Sequence, residues 1–117
     1  MATWTKAQWA AASLARLGRY GAGQTATAAD QILAESKADS LFPRLRRKGL
    51  APFAVATIPE GAQDPLSALL AESMVMEFGI SGERLGLVKS EAREAKKELA
   101  AWLASDKHRI PIEVDDF

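Results

Sequence analysis

Apolar residues recur at spacings of three and four along most of this chain, and that period is the mark of amphipathic helices. A first helix is predicted from about Lys6 to Leu17. Thr5 is a good N-cap, Gln8 three residues on completes a capping box, and Trp4 and Trp9 stand at the positions of a hydrophobic staple. Leu14 and Leu17 extend the apolar side, and Gly18 ends it. A loop, Gly18 to Thr27, precedes a second helix with Asp30 in its first turn. Its stripe of Ile32, Leu33, Leu41, Phe42 and Leu45 is interrupted by Pro43. An interior proline loses a hydrogen bond and clashes with the preceding turn, so a kink or break is expected near Ser40–Phe42. Gly49 is the expected stop.

Leu50 to Gln63 reads as a connector, with Pro52, Pro59 and Gly61, and a short strand is expected at Phe53–Ile58. Asp64-Pro65 has the form of an N-cap followed by proline at the first helical position, which predicts a third helix over Pro65 to Phe78, stopped by Gly79. Its run of Leu66, Leu69, Leu70, Met74, Val75, Met76 and Phe78 leaves little polar surface, the pattern of a central helix. After Ser81 a long fourth helix runs to about Ser105. Leu85, Val88, Ala92, Ala95, Leu99 and Trp102 form one heptad-like seam along it, with charged residues on the other faces. The fold class is therefore all-α, a small bundle of about four helices. Residues 1–108 form the helical domain and 109–117 an extended C-terminal arm.

Composition narrows the function. The 117 residues suit one domain. Fifteen basic and fifteen acidic residues cancel, whereas a DNA-coating protein carries a basic excess. Cysteine is absent, so disulfides are excluded and zinc loses its best ligands. The first residues lack a basic region followed by an apolar run, so a signal peptide is not expected. No apolar stretch approaches the ~20 residues that span a bilayer, so no membrane role is expected.

Few residues suggest chemistry. Gly21-Ala22-Gly23 has no preceding strand and no following Gly-Lys-Ser/Thr, so it reads as a tight turn. His108, the only histidine, has no obvious catalytic partner near it in sequence. Glu72 and Glu77 are five apart and fall on different helix faces, as surface or interface charges do. Met74, Met76 and the three tryptophans are read as core or interface. No catalytic constellation, cofactor site or metal site is expected. Arg44, Arg46, Arg47 and Lys48 form the one basic cluster. It reads either as a solvated helix end complementing the dipole, or as an inter-subunit or channel contact with an acidic protein surface or a nucleic-acid backbone.

The last segment changes character. Ile110, Pro111, Ile112, Glu113, Val114, Asp115, Asp116 and Phe117 combine a helix-blocking proline with apolar and acidic residues in near alternation. Such a segment suits an extended arm that docks on a partner.

Leu14-Ala15-Arg16-Leu17-Gly18-Arg19-Tyr20-Gly21-Ala22-Gly23-Gln24-Thr25-Ala26-Thr27-Ala28-Ala29-Asp30 resembles the start of the head-completion adaptors of tailed bacteriophages and gene transfer agents, also called tail accessory or packaged-DNA-stabilisation proteins. The resemblance continues at Arg47-Lys48-Gly49-Leu50, Ile58-Pro59-Glu60-Gly61, Pro65-Leu66, Leu69-Leu70-Ala71 and Glu77-Phe78-Gly79, and covers roughly residues 9 to 100. Pro43 and the short middle connector depart from the family pattern. The resemblance implies a structural, non-enzymatic virion protein of the neck, assembled in the host cytoplasm. It would form a ring, commonly twelvefold, between the portal protein and a downstream tail or stopper protein. The ring would extend the channel through which packaged DNA passes and help retain that DNA, without reading its sequence. The family's C-terminal segment engages the portal, which gives the arm its expected partner. The competing reading is a DNA-binding regulator or small packaging subunit with a helix-turn-helix. Its loop would be much longer than the usual three- to four-residue turn.

Overall fold

The computed structural model describes residues 3–18 and 26–108, with side chains through residue 105. Four helices follow one another: α1 (Lys6–Arg16), α2 (Ala28–Arg47), α3 (Glu60–Ser73) and α4 (Gly82–His108). The fold is all-α, with α3 at its centre, and α1, α2 and α4 all pack on it. Within α3, Pro65 to Ala71 are buried without interruption. A stretch with so little polar surface is stable only when surrounded, whereas Glu60, Gly61 and Asp64 in the first turns of α3 are exposed. Residues 19–25, where a loop is expected, and the expected arm, Ile110 to Phe117, lie outside the described residues.

The start of α1 follows its sequence. Thr5 Oγ1 accepts from the Gln8 amide at 3.3 Å, and the Thr5 amide donates to Gln8 Oε1 at 2.9 Å. Trp4, one residue earlier, pairs by backbone with Ile58 in a single antiparallel bridge. That bridge replaces the strand expected at Phe53–Ile58, where the connector turns at Ala54–Thr57 instead of running extended. Trp9 is fully buried, and its indole N–H donates to the Leu66 carbonyl at 2.8 Å, pinning α1 to α3.

Helix α2 does not break at Pro43. Proline deprives Asp39 of an intrahelical donor, but Asp39 and Pro43 are both on the exposed side of the helix, where the lost bond costs little. On the opposite side Ala34, Ala38, Phe42 and Leu45 are buried, so packing holds the helix on both sides of the proline. Its end is a Schellman motif: the Leu50 amide donates to the Leu45 carbonyl at 2.9 Å and Gly49 to Arg46 at 3.0 Å, with Gly49 at φ +77°.

Two boundaries of α3 also depart from the sequence reading. It begins at Glu60 with Pro59 as N-cap, so Pro65 is interior instead of opening the helix. It ends at Ser73, where bonds from Met74 to Ala71 and from Val75 to Glu72 tighten the coil into turns that reach Gly79. In α4, Val88, Ala92, Ala95 and Leu99 of the seam are buried, while Leu85 and Trp102 are half-buried. An aromatic row, Trp9–Phe42–Phe53–Trp102, with centroids 6.0 to 6.3 Å apart, joins α1, α2, the connector and α4. Among the described residues no helix is long and apolar enough to cross a membrane.

Candidate functional site

The basic cluster at the end of α2 is divided by the helix. Successive residues turn by about 100°, so four neighbouring cations cannot share one direction. Arg44 and Lys48, four apart, face a cleft between α2 and α4. Arg46 turns back over Phe42, its guanidinium carbon 5.7 Å from the ring centroid. Arg47 is exposed and does not line that cleft.

The cleft encloses about 470 Å³. Its α2 wall carries Leu41 and Leu45 beneath Arg44 and Lys48, its floor is Leu69, Glu72 and Ser73 of α3, and its α4 wall carries Lys89 and Lys96. Lys89 and Lys96 are seven residues apart, two helical turns, and so point the same way. Four cations face one carboxylate, and none of the four has an acidic partner within 4 Å among the described residues. Such an arrangement attracts acidic groups and has an apolar base against which a partner's side chain can pack.

The sequence alone does not mark Lys89 and Lys96 as site residues. Their position beside the buried seam of α4 was the available signal, but their convergence with α2 depends on tertiary packing. Arg16 was missed for the same reason. Its Nε donates to Ser67 Oγ at 2.7 Å and Nη1 to Glu91 Oε1 at 3.1 Å, and Nη2 pairs with Asp64. Arg16 thus ties α1 to both α3 and α4. Of the two acids noted on the third helix, Glu72 sits in the cationic cleft. Glu77 lies beyond α3 and pairs with Lys37 of α2 at 2.5 Å. That hydrogen bond, with a further one from its own backbone, holds its carboxyl below the ordinary 4.5.

The arm residues Ile110, Pro111, Ile112, Glu113, Val114, Asp115, Asp116 and Phe117, the turn Gly21-Ala22-Gly23 and the side chain of His108 lie outside the described residues. Comparison with family models, with curated proteins and with solved structures finds no match.

Proposed function

We propose that this chain is a non-enzymatic structural subunit of a phage neck, a ring adaptor between portal and tail that extends the DNA channel and helps retain packaged DNA. The observation that carries the reading is where the family-like segments fall in the fold. Leu17-Gly18 closes α1, and Thr27 caps α2 by accepting from the Asp30 amide at 3.2 Å. Arg47-Lys48-Gly49-Leu50 contains the Schellman stop of α2, Pro59-Glu60 opens α3, and Phe78-Gly79 leads into α4. These segments fall at residues that set helix lengths and directions, while Pro65-Leu66 and Leu69-Leu70-Ala71 lie in the buried run of α3.

In this reading the helical domain is the body of the ring subunit and Ile110–Phe117 is the arm that docks on the portal. The helix-turn-helix alternative is less well supported, since residues 17–27 separate α1 from α2 and the cationic cleft lies on α2, α3 and α4 instead. Deleting Ile110–Phe117 tests the proposal. The helical circular dichroism signal should persist, and incorporation into particles should be lost. A truncated chain that still joins the neck at normal copy number overturns the docking arm.

A further inference from the structure

Among the described residues, clefts of opposite charge lie on the two sides of α4. The cationic cleft between α2 and α4 presents four cations against Glu72. On the other side of α4, over Asp64 and Ala68 of α3, a second cleft encloses about 280 Å³. It presents Asp64, Glu91, Glu94 and Glu98 against the single cation Arg16. The helical period explains the division. With about 100° per residue, Val88, Ala92, Ala95 and Leu99 form the line facing the bundle. Lys89 and Lys96 then fall to one side of that line, and Glu91, Glu94 and Glu98 to the other.

The two sides differ in how far their charges are already engaged. Arg16 is spent on Asp64 and Glu91. Glu98 has no cationic partner among the described residues, and Glu94 has only a 3.7 Å contact to the well-exposed Lys97. Glu94 and Glu98, one turn apart, therefore present free negative charge outward.

We propose that the cationic cleft of one copy receives the acidic flank of α4 of a second copy, with Glu94 and Glu98 facing Arg44, Lys48, Lys89 and Lys96. This rests on the ring reading above and supplies its subunit contact. Joining two unlike faces leaves each pair with one cationic and one acidic face open. The contact is heterologous and repeats, closing into a ring where the rotation allows. A symmetric contact of like faces would oppose four cations with four cations, which the same electrostatics penalises. A nucleic-acid backbone fits less well, because Glu72 stands inside the cleft and the chain has no net positive charge.

The test uses the purified full chain and two charge-reversed variants, Lys89→Glu/Lys96→Glu and Glu94→Lys/Glu98→Lys. All four positions are exposed, and circular dichroism checks that each variant is folded. Sedimentation at low salt should show concentration-dependent association of the unaltered chain, weakened by added salt. Each variant alone should associate at least tenfold more weakly. An equimolar mixture should recover association, because alternating variants restore opposite charges at every junction. The absence of cysteine permits a second readout. Ser73→Cys lies in the cationic cleft and Ser90→Cys in the acidic one. A short bismaleimide should join Ser73→Cys to Ser90→Cys chains and neither to itself. Unchanged association of the single-side variants, a mixture that does not recover, or self-joining of either cysteine variant overturns the contact. So does a Lys89→Glu/Lys96→Glu chain that loses binding to a DNA duplex while self-association is untouched. Recovery in the mixture without incorporation into any particle leaves the contact standing and removes the neck reading. Incorporation of all variants with no charge dependence does the reverse.

Discussion

Gly61 of α3 lies against the indole of Trp102 of α4: a Cβ on Gly61 would fall 2.1 Å from the indole Nε1 and 2.5 Å from Cε2. No side chain fits there without displacing the ring. The ring in turn makes an edge contact with Phe53, centroids 6.3 Å apart. One glycine therefore sets how the far part of α4 meets the start of α3 and the connector.

Gly61→Ala should lower stability. Overpacking costs about 1–3 kcal/mol, more than the ~1 kcal/mol of helix propensity that alanine adds. The urea midpoint should fall and the tryptophan emission should shift as the indole moves. In a Trp102→Ala background the same substitution should be neutral or stabilising. An equal loss in both backgrounds would show that the ring is not the obstacle.

Pro43→Ala should raise stability by about 1–3 kcal/mol, since alanine restores an interior helical N–H and removes a ring clash. Pro43 is exposed, so no core contact is lost. Thermal unfolding followed at 222 nm measures it. An unchanged or lower midpoint would mean that α2 depends on the proline for its course.

Leu70→Ala should cost about 2–5 kcal/mol, the range for emptying a buried leucine site. Leu70 is fully buried in α3. A denaturant midpoint equal to that of the unaltered chain would remove it from the core.

Glu77 gives a pH dependence. The Lys37 hydrogen bond keeps its folded pKa below the ordinary 4.5, so folding favours the ionised form. The contribution is fully present above about 4.5 and is lost as pH falls through the lower folded value. The pair is partly exposed, so Glu77→Gln should cost no more than about 1 kcal/mol at neutral pH. The difference from the unaltered chain should fade in acid. A constant difference from pH 7 to pH 2 would disprove the ion-pair origin.

Much of the fold is legible in the chain itself. Thr5 and Gln8 mark a helix start because capping is local chemistry, and Gly49 marks a stop because its positive φ is local too. The burial of Pro65 to Ala71 in α3 follows from the scarcity of polar residues in that stretch. Pro65 misled, and Pro43 does not produce a break, because proline rules describe an isolated helix. Here the buried Phe42 and Leu45 hold α2 around Pro43, and Pro65 is itself buried within α3. The cationic cleft was half legible. Arg44 and Lys48 stood out as a run of charge, whereas Lys89 and Lys96 join them only through the packing of α2 and α4 on α3.

The proposed neck role is tested most directly by cryo-EM of particles purified from cells that express the chain together with its flanking genes. The account predicts a closed ring of this four-helix fold beneath the portal, the cationic cleft of each subunit against the acidic flank of its neighbour. Particles that are complete and infectious yet contain no copy of the chain between head and tail would contradict it.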